Sequence, residues 1–345
     1  MARWLTALRH VAFAVVAALV VVSLAWLALN ATRDPNVAEI RHFMAQGGAS
    51  DAEIRRAVRE YLERRGRFAP LHERYVAWLG DFLTLDWGTS YSLTTAGPNG
   101  GRVPLPVTDA LANGLSNTLR YVVPSILLAV GIGVAVGTYT ALVPDSRLGR
   151  VASMAAYFGS GVPNFYLAVV LPVLIAIPLD LLGSDVTRVV DGGRVHETVI
   201  EGAVGPFGIN TTILPVFVLT LGLLGSQVRY ARTEVLEYAQ RDFARLVRAK
   251  GAGPVRLARH VLRNAALPLV ALFSTEVVAV LVVDVFVLEY VFPVRGVGSM
   301  GVRAILDRDY PLFVGVTAVV VAAGVFGTLL QDLAALVLDP RVGEE

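Results

Sequence analysis

Cysteine is missing from all 345 residues, which excludes a disulfide framework, a thiolate metal site and thiol redox chemistry. Lysine is almost missing too, since Lys250 is the only one among 30 basic residues. Net charge is low, at +2, so the electrostatic footprint of a nucleic-acid binder is absent. No G-x-S-x-G, H-E-x-x-H or G-x-x-x-x-G-K-[ST] occurs, so the sequence offers no signature of a serine hydrolase, a zinc protease or an ATP phosphate loop. His10, His42, His72 and His196 are scattered without metal-ligand spacing and read as surface residues. What the chain has in excess is apolar residues, 55% of the total, gathered into runs longer than a globular core uses. It is a membrane protein.

A hydrocarbon layer of about 30 Å needs about 20 apolar residues at 1.5 Å each. Six segments qualify, near 10–29, 118–142, 157–179, 210–229, 266–290 and 312–337. The expected fold class is therefore all-α: a polytopic membrane protein with six transmembrane helices and an extracytoplasmic helical insertion after the first. The first apolar run exceeds a signal-peptide core and lacks an A-x-A site, so it is read as a retained span with Trp26 near the outer interface. Pro124, Pro163, Pro172, Pro178 and Pro215 predict kinks. Gly133 and Gly137 stand at small-xxx-small spacing, suited to close helix packing.

Arginine in the short loops sets the orientation. Inner segments are 1–9, 143–151, about 230–265 and the chain end "DPRVGEE", which places both termini in the cytoplasm. The loop 180–209 leans acidic and falls outside. Residues 31–117 are arginine-rich but long enough to translocate regardless of charge. In that insertion Ser50 is an N-cap before Ile54, Val58, Tyr61 and Leu62 at helical spacing, and Tyr75, Trp78, Leu79 and Phe82 share a second helix face. "TTAGPNGGRVP" reads as a Gly/Pro loop returning to the membrane. The insertion is either an accessory cap over the bundle or a small ligand-binding domain. The organisation is then 1–30, 31–117, and a transmembrane bundle 118–341 carrying the basic loop 230–265.

That loop contains "RLVRAKGAGPVRLARHVLRNAALP", residues 245–268. Helical spacing runs from Thr233 to Lys250 through Val235, Ala239, Phe243 and Val247. Gly251 suits a left-handed cap and Pro254 the first turn of a new helix, whose Val255, Ala258, Val261 and Leu262 oppose Arg256, Arg259 and Arg263. Topology and anionic lipid explain the arginines, and an interfacial helix is a second reading. A rigid knob that docks into a cytoplasmic partner also explains the turn.

These residues resemble the EAA-type coupling loop of ABC importer permeases, in the dipeptide, oligopeptide and nickel branch: Arg248-Ala249-Lys250-Gly251, then His260, Arg263, Asn264, Ala265, Leu267 and Pro268. "DWGTSY" (86–91), "GSGVPNFYLAVVL" (159–171), "VLEYVFPVRGVGSMGVRAILDRDYP" (287–311) and "LDPR" (338–341) are similar to further family stretches. The likeness covers about 86–341 well, 1–30 loosely and 34–85 only weakly. Pro293 and Arg295 depart from it in the outer turn.

The resemblance implies a homologous second permease, two ABC ATPase subunits that carry ATP and magnesium, an extracytoplasmic solute-binding protein, and no enzymatic activity or cofactor on this chain. Arg245, Arg248, Ala249, Lys250, Gly251, Ala252, Pro254, Val255 and Arg256 would form the ATPase-coupling surface. The solute would be a di- or oligopeptide, with nickel or another non-peptide solute as the alternative. A channel or sensor with a ligand-binding insertion is the reading from another class. Glu276 and Asp284, costly in a span, either line the translocation path or pair with another intramembrane polar group. Glu289, Gly296, Gly298 and Asp309 belong to an outer turn with a turn-fixing or gating role. Asp307, Arg308 and Asp309 are expected to hold an internal salt bridge.

Overall fold

The computed structural model describes residues 2–31, 34, 36–64, 66–97, 101–179, 212–280, 284–292 and 294–338. The loop expected at 180–209 and the chain end from 339 lie outside the described residues, and so does the His196 side chain. In chain order the elements are α1 (Ala2–Ala31), α2 (Asn36–Gln46), α3 (Asp51–Arg64), α4 (Leu71–Leu83), β1 (Thr89–Ala96), β2 (Arg102–Pro106), α5 (Val107–Leu142), α6 (Arg147–Gly161), α7 (Asn164–Leu179), α8 (Leu214–Ala239), α9 (Asp242–Ala249), α10 (Pro254–Ala279), α11 (Val285–Val291), α12 (Val297–Leu306) and α13 (Tyr310–Leu338).

Four helical stretches among the described residues are long and apolar enough to cross a bilayer: Val11–Gln46, Val107–Leu142, Leu214–Ala239 and Tyr310–Leu329. A fifth is the pair α6–α7, bent by 94°. The segment expected as one span at 266–290 is divided between α10 and α11, on either side of 281–283, which lie outside the described residues. Pro163 accounts for the bend, because Val162 before it is extended (φ −95°, ψ 127°), as the proline ring requires. The other prolines behave differently. Pro124 stays inside a continuous α5, and Pro215 sits in the first turn of α8, where no intrahelical N–H is lost.

The all-α expectation needs one correction. β1 and β2 pair antiparallel, with Thr95 opposite Val103 and Thr94 opposite Pro104. The Gly97 N–H donates to the Gly101 carbonyl at 2.7 Å across the hairpin end. The Gly/Pro-rich stretch signalled a turn, but its β-branched flanks, Thr94, Thr95 and Val103, turn it into a hairpin rather than a loose loop.

One compact unit comprises Ala17–Asn113 and Met300–Val321. Its core is Val22, Val314 and Ala318 with Trp78, Phe82 and Trp87 packed against them. Helical spacing on α4 lines up Tyr75, Trp78 and Phe82, of which Tyr75 and Trp78 meet Trp26 of α1. Trp26 stacks on Trp78 at 5.2 Å between ring centroids, and Phe82 stacks on Trp87 at 5.3 Å. Tyr75 meets Trp26 edge-on at 5.6 Å and its hydroxyl lies 2.9 Å from Ser23 Oγ. Asn30, at the end of α1, accepts hydrogen bonds from both Arg67 (3.1 Å) and Arg74. Arg67 also faces Asp34 at 3.8 Å. Burial and the neighbouring Arg67 push the Arg74 pKa down from the usual arginine value.

At the start of α3, Ser50 and Glu53 form a capping box. The Ser50 N–H donates to Glu53 Oε2 at 2.8 Å and the Glu53 N–H to Ser50 Oγ at 3.4 Å. Hydrogen bonds from the Ser50 backbone and hydroxyl hold the Glu53 carboxyl below the usual range. The stabilisation it gives is therefore present at neutral pH and is lost as pH falls through that lowered value.

The second unit comprises Met1–Val16, Gly114–Ser299 and Ala322–Glu345. Tyr121, Val122, Ala168, Leu219, Leu288 and Phe292 meet in its largest described cluster. Here α5 crosses α8 at contact distance. A Cβ at Gly133 would overlap Gln227, and one at Gly137 would come 2.7 Å from the Ala231 Cβ and the Val228 carbonyl oxygen. The glycine spacing read in the sequence is a packing seam.

Gly133→Leu should therefore force α5 and α8 apart, at a cost of about 1–3 kcal/mol from overpacking. A lower midpoint of thermal unfolding in detergent checks this, with Gly131→Leu, where a Cβ meets nothing within 4 Å, as the tolerated control.

Candidate functional site

The basic segment folds as one short helix, α9, tightly joined to the start of α10 and set between the two long helices α8 and α10. α8 runs without a break to Ala239, past the point where the bundle was expected to end. The single helix expected from Thr233 to Lys250 is interrupted at Gln240–Arg241, where Arg241 is extended (φ −72°, ψ 157°). Arg241 secures this elbow by donating to Glu237 at 2.7 Å and lying 3.9 Å from the centroid of the Tyr238 ring. The apolar positions Val235, Ala239, Ala244 and Val247 continue across it with almost unchanged spacing, so periodicity does not reveal the break.

α9 ends as the sequence predicts. Gly251 has φ +74°, its N–H donates to the Arg248 carbonyl at 2.9 Å, and the Ala252 N–H reaches back to the Val247 carbonyl at 3.3 Å. These two bonds make a Schellman closure, and only glycine takes that φ without strain. Pro254 then opens α10. The turn is anchored from below: Ala244, Leu257 and Val261 are buried against Ala141 at the end of α5 and Val235 and Ala239 of α8.

The face turned away from this core carries the predicted coupling residues. Arg245, Arg248, Ala249, Lys250, Gly251, Pro254, Val255 and Arg256 are exposed, and Ala252 is half-buried. Val255, which lies on the apolar stripe of α10 and in the expected coupling surface, is 82% exposed. The buried ridge of α10 is Leu257, Val261, Ala265 and Leu269, at strict four-residue spacing. Arg245 is used within its own helix, 3.6 Å from Asp242. Arg248, Lys250 and Arg256 have no acidic partner among the described residues. The turn thus presents three unpaired cations around small and apolar side chains.

Three predicted carboxylates have defined partners. Glu289, 1% exposed, accepts from Thr118 Oγ1 at 2.5 Å and the Tyr121 hydroxyl at 3.2 Å through one oxygen, and from the Ser299 N–H at 3.0 Å through the other. Thr118 Oγ1 also accepts from the Val297 N–H at 3.0 Å. The first turn of α12 is thereby capped by groups from α11 and α5. Gly296 leaves room for the carboxylate, which a Cβ there would overlap, and a Cβ at Gly298 would lie 2.6 Å from the Val285 carbonyl oxygen. Asp284 accepts from Asn164 Nδ2 at 3.0 Å, joining α7 to the start of α11. The Glu276 side chain lies outside the described residues.

Asp309 is fully buried and forms no salt bridge among the described residues. Its Oδ2 accepts from Ser90 Oγ (2.5 Å), the Tyr91 N–H (2.7 Å), the Ser92 N–H (2.9 Å) and Ser92 Oγ (3.1 Å). Its Oδ1 accepts from the Leu312 N–H at 3.2 Å, which caps α13. No ion pair joins Asp307, Arg308 and Asp309 to one another among the described residues; Asp307 pairs instead with Arg303, 3.5 Å away and exposed. Five acceptor contacts satisfy a buried carboxylate without a cation. Thr118, Tyr121 and Ser299, the serines of β1, and Asn164 carried no signal in the sequence, since each lies 10 to 219 residues from the carboxylate it serves.

Residues 133–344 match the family described as binding-protein-dependent transport system inner membrane component. The chain is 29% identical over 294 residues to the oligopeptide transport system permease protein AppB of Bacillus subtilis, covering 85% of this chain and 87% of that one. It is 25% identical to the metal-staphylopine import system permease protein CntB of Staphylococcus aureus, over 83% of each chain. It is 28% identical to the dipeptide transport system permease protein DppB of Bacillus subtilis, over 79% of this chain and 80% of that one.

Replacing Asp309 by alanine would orphan the Ser90 hydroxyl and the Tyr91 and Ser92 amides, at about 1–3 kcal/mol per unsatisfied group. The expected outcome is faster proteolysis within 89–106 and a lower unfolding midpoint. Asp309→Asn, which keeps an acceptor oxygen, should fall between the two.

Proposed function

The chain belongs to the family of binding-protein-dependent transport system inner membrane components, and from that premise we propose that it is the membrane-spanning permease subunit of an ABC importer whose solute is a peptide. The observation that carries the proposal is the closed turn at Gly251. It places unpaired Arg248, Lys250 and Arg256 around exposed Ala249 and Val255, on a core shared by α5, α8 and α10.

On this reading two ATPase subunits bind ATP and magnesium, and one of them receives the turn in a groove with acidic groups. A second permease completes the path, and a solute-binding protein delivers the peptide on the far side. The arginine-rich turn and both termini face the cytoplasm, in keeping with the charge rule. Movement of the turn passes directly into α10 and, through α9 and the elbow at Arg241, into α8, and the two long helices pack on one another. Nucleotide drives the change only if it binds the closed ATPase pair in preference to the open one.

Asp284, held by Asn164, together with Glu276 of α10, would line the path where a peptide's amino group passes. Glu289, Gly296, Gly298 and Asp309 are assigned a turn-fixing role, because both carboxylates are saturated by hydrogen bonds within the chain. A non-peptide solute is the second reading, favoured by the likeness to a metal-staphylopine permease.

Gly251→Val forces a β-branched residue into φ +74°, costing about 1–2 kcal/mol at the turn. Transport by the assembled complex should fall and the ATPase should co-purify less well, while membrane insertion is kept. Unchanged transport and unchanged ATPase recovery would overturn the coupling assignment.

A further inference from the structure

A cavity of about 350 Å³ lies within the unit formed by Ala17–Asn113 and Met300–Val321. It sits beside the last turns of α1 and the first turn of α13, where two membrane-spanning stretches meet the insertion. Trp26, Trp78, Trp87 and Tyr310 line it, and among the described residues its only charged lining groups are Asp81 and Asp86. Both carboxylates are exposed at the cavity, and neither has a cationic partner among the described residues. Asp86 Oδ1 accepts only a long hydrogen bond, 3.4 Å, from the Gly88 N–H.

Electron-rich ring faces with carboxylates at the mouth attract a cation that carries apolar substituents. Two rings of this wall already receive cations from outside the cavity. The Arg74 guanidinium lies 5.9 Å from the Trp26 centroid and that of Arg67 5.9 Å from Tyr310. Neither arginine lines the cavity, and both are tied to Asn30, so they leave the two aspartates unneutralised. The volume falls within the range of small-ligand sites, about 300–1,000 Å³.

We propose that this cavity binds an alkylammonium group, the chemistry shared by choline- and ethanolamine-headed lipids and by soluble amines. Tyrosine and tryptophan at this level match the aromatic belt of a membrane interface, the depth at which lipid headgroups lie. The site is distinct from the coupling turn and from the Asp284 carboxylate, and does not depend on which solute the importer carries.

Three of the four tryptophans line the cavity, so intrinsic fluorescence reads its occupancy. The full chain in phosphatidylglycerol nanodiscs, which offer no amine, is titrated with choline and with its neutral isostere 3,3-dimethylbutan-1-ol at constant ionic strength. Saturable emission change with choline, at least about tenfold tighter than with the isostere, is expected. Asp81→Asn/Asp86→Asn should abolish that preference. Equal affinity for choline and the isostere in the wild-type chain overturns the proposal, and so does a preference that survives in the double variant. Where the wild-type preference is found, repeating the titration in phosphatidylcholine or phosphatidylethanolamine nanodiscs identifies the source. Weakened choline binding there assigns a lipid headgroup, and unchanged binding assigns a soluble amine.

Discussion

Each break in a helix leaves up to four N–H or C=O groups without an intrahelical partner, and near a bilayer water cannot be relied on to satisfy them. This chain breaks its helices repeatedly, and its architecture depends on what closes each end. Ser146 caps α6 by accepting the Gly149 N–H at 3.2 Å. Glu289 and Thr118 close α12, Asp309 closes α13, and Gly251 closes α9 through its own backbone. A cap supplied from a distant element also fixes where that element lies. Glu289 therefore ties α11 and α12 to α5, and Asp309 ties the start of α13 to the hairpin.

The turn at Gly251 differs from the other closures because it uses no side chain. Its hydrogen bonds are all backbone, which leaves every side chain at its tip available to another molecule. Rigidity comes from below, where Ala244, Leu257 and Val261 are buried between helices. α8, at 26 residues, is roughly 39 Å long, enough to cross a hydrocarbon layer with length to spare. A short stiff element on two long helices is suited to passing on a displacement, and poorly suited to generating one.

The insertion shows a different use of side chains. Its hydrogen bonds converge on single residues: Asn30 accepts from two arginines, and Asp309 receives both amides and both hydroxyls that β1 offers it. Aromatic stacking supplies much of the remaining contact, from Trp26 through Trp78 and Phe82 to Trp87. Rings stacked along one helix leave faces and edges on their open side, and the cavity beside Asp81 and Asp86 is bounded by them.

Local features were legible in the sequence because they follow from neighbouring residues. Helical spacing located α3, α4 and the pieces around Gly251. Ser50 marked a helix start, Gly251 a helix end, and Pro254 the next beginning. Gly133 and Gly137 announced a close crossing, although not its partner, Gln227 and Ala231 of α8. The elbow at Arg241 was hidden, since a helical stripe keeps its period across a short break. Apolar length, charge placement and backbone preference at glycine and proline were thus determined by the sequence alone. Only tertiary structure decided that Glu289 meets Thr118, that Asp309 meets Ser90 and Ser92, and that Trp26, Trp87 and Tyr310 enclose one space. Such meetings join residues far apart in the chain, and no local propensity or periodicity carries information about them.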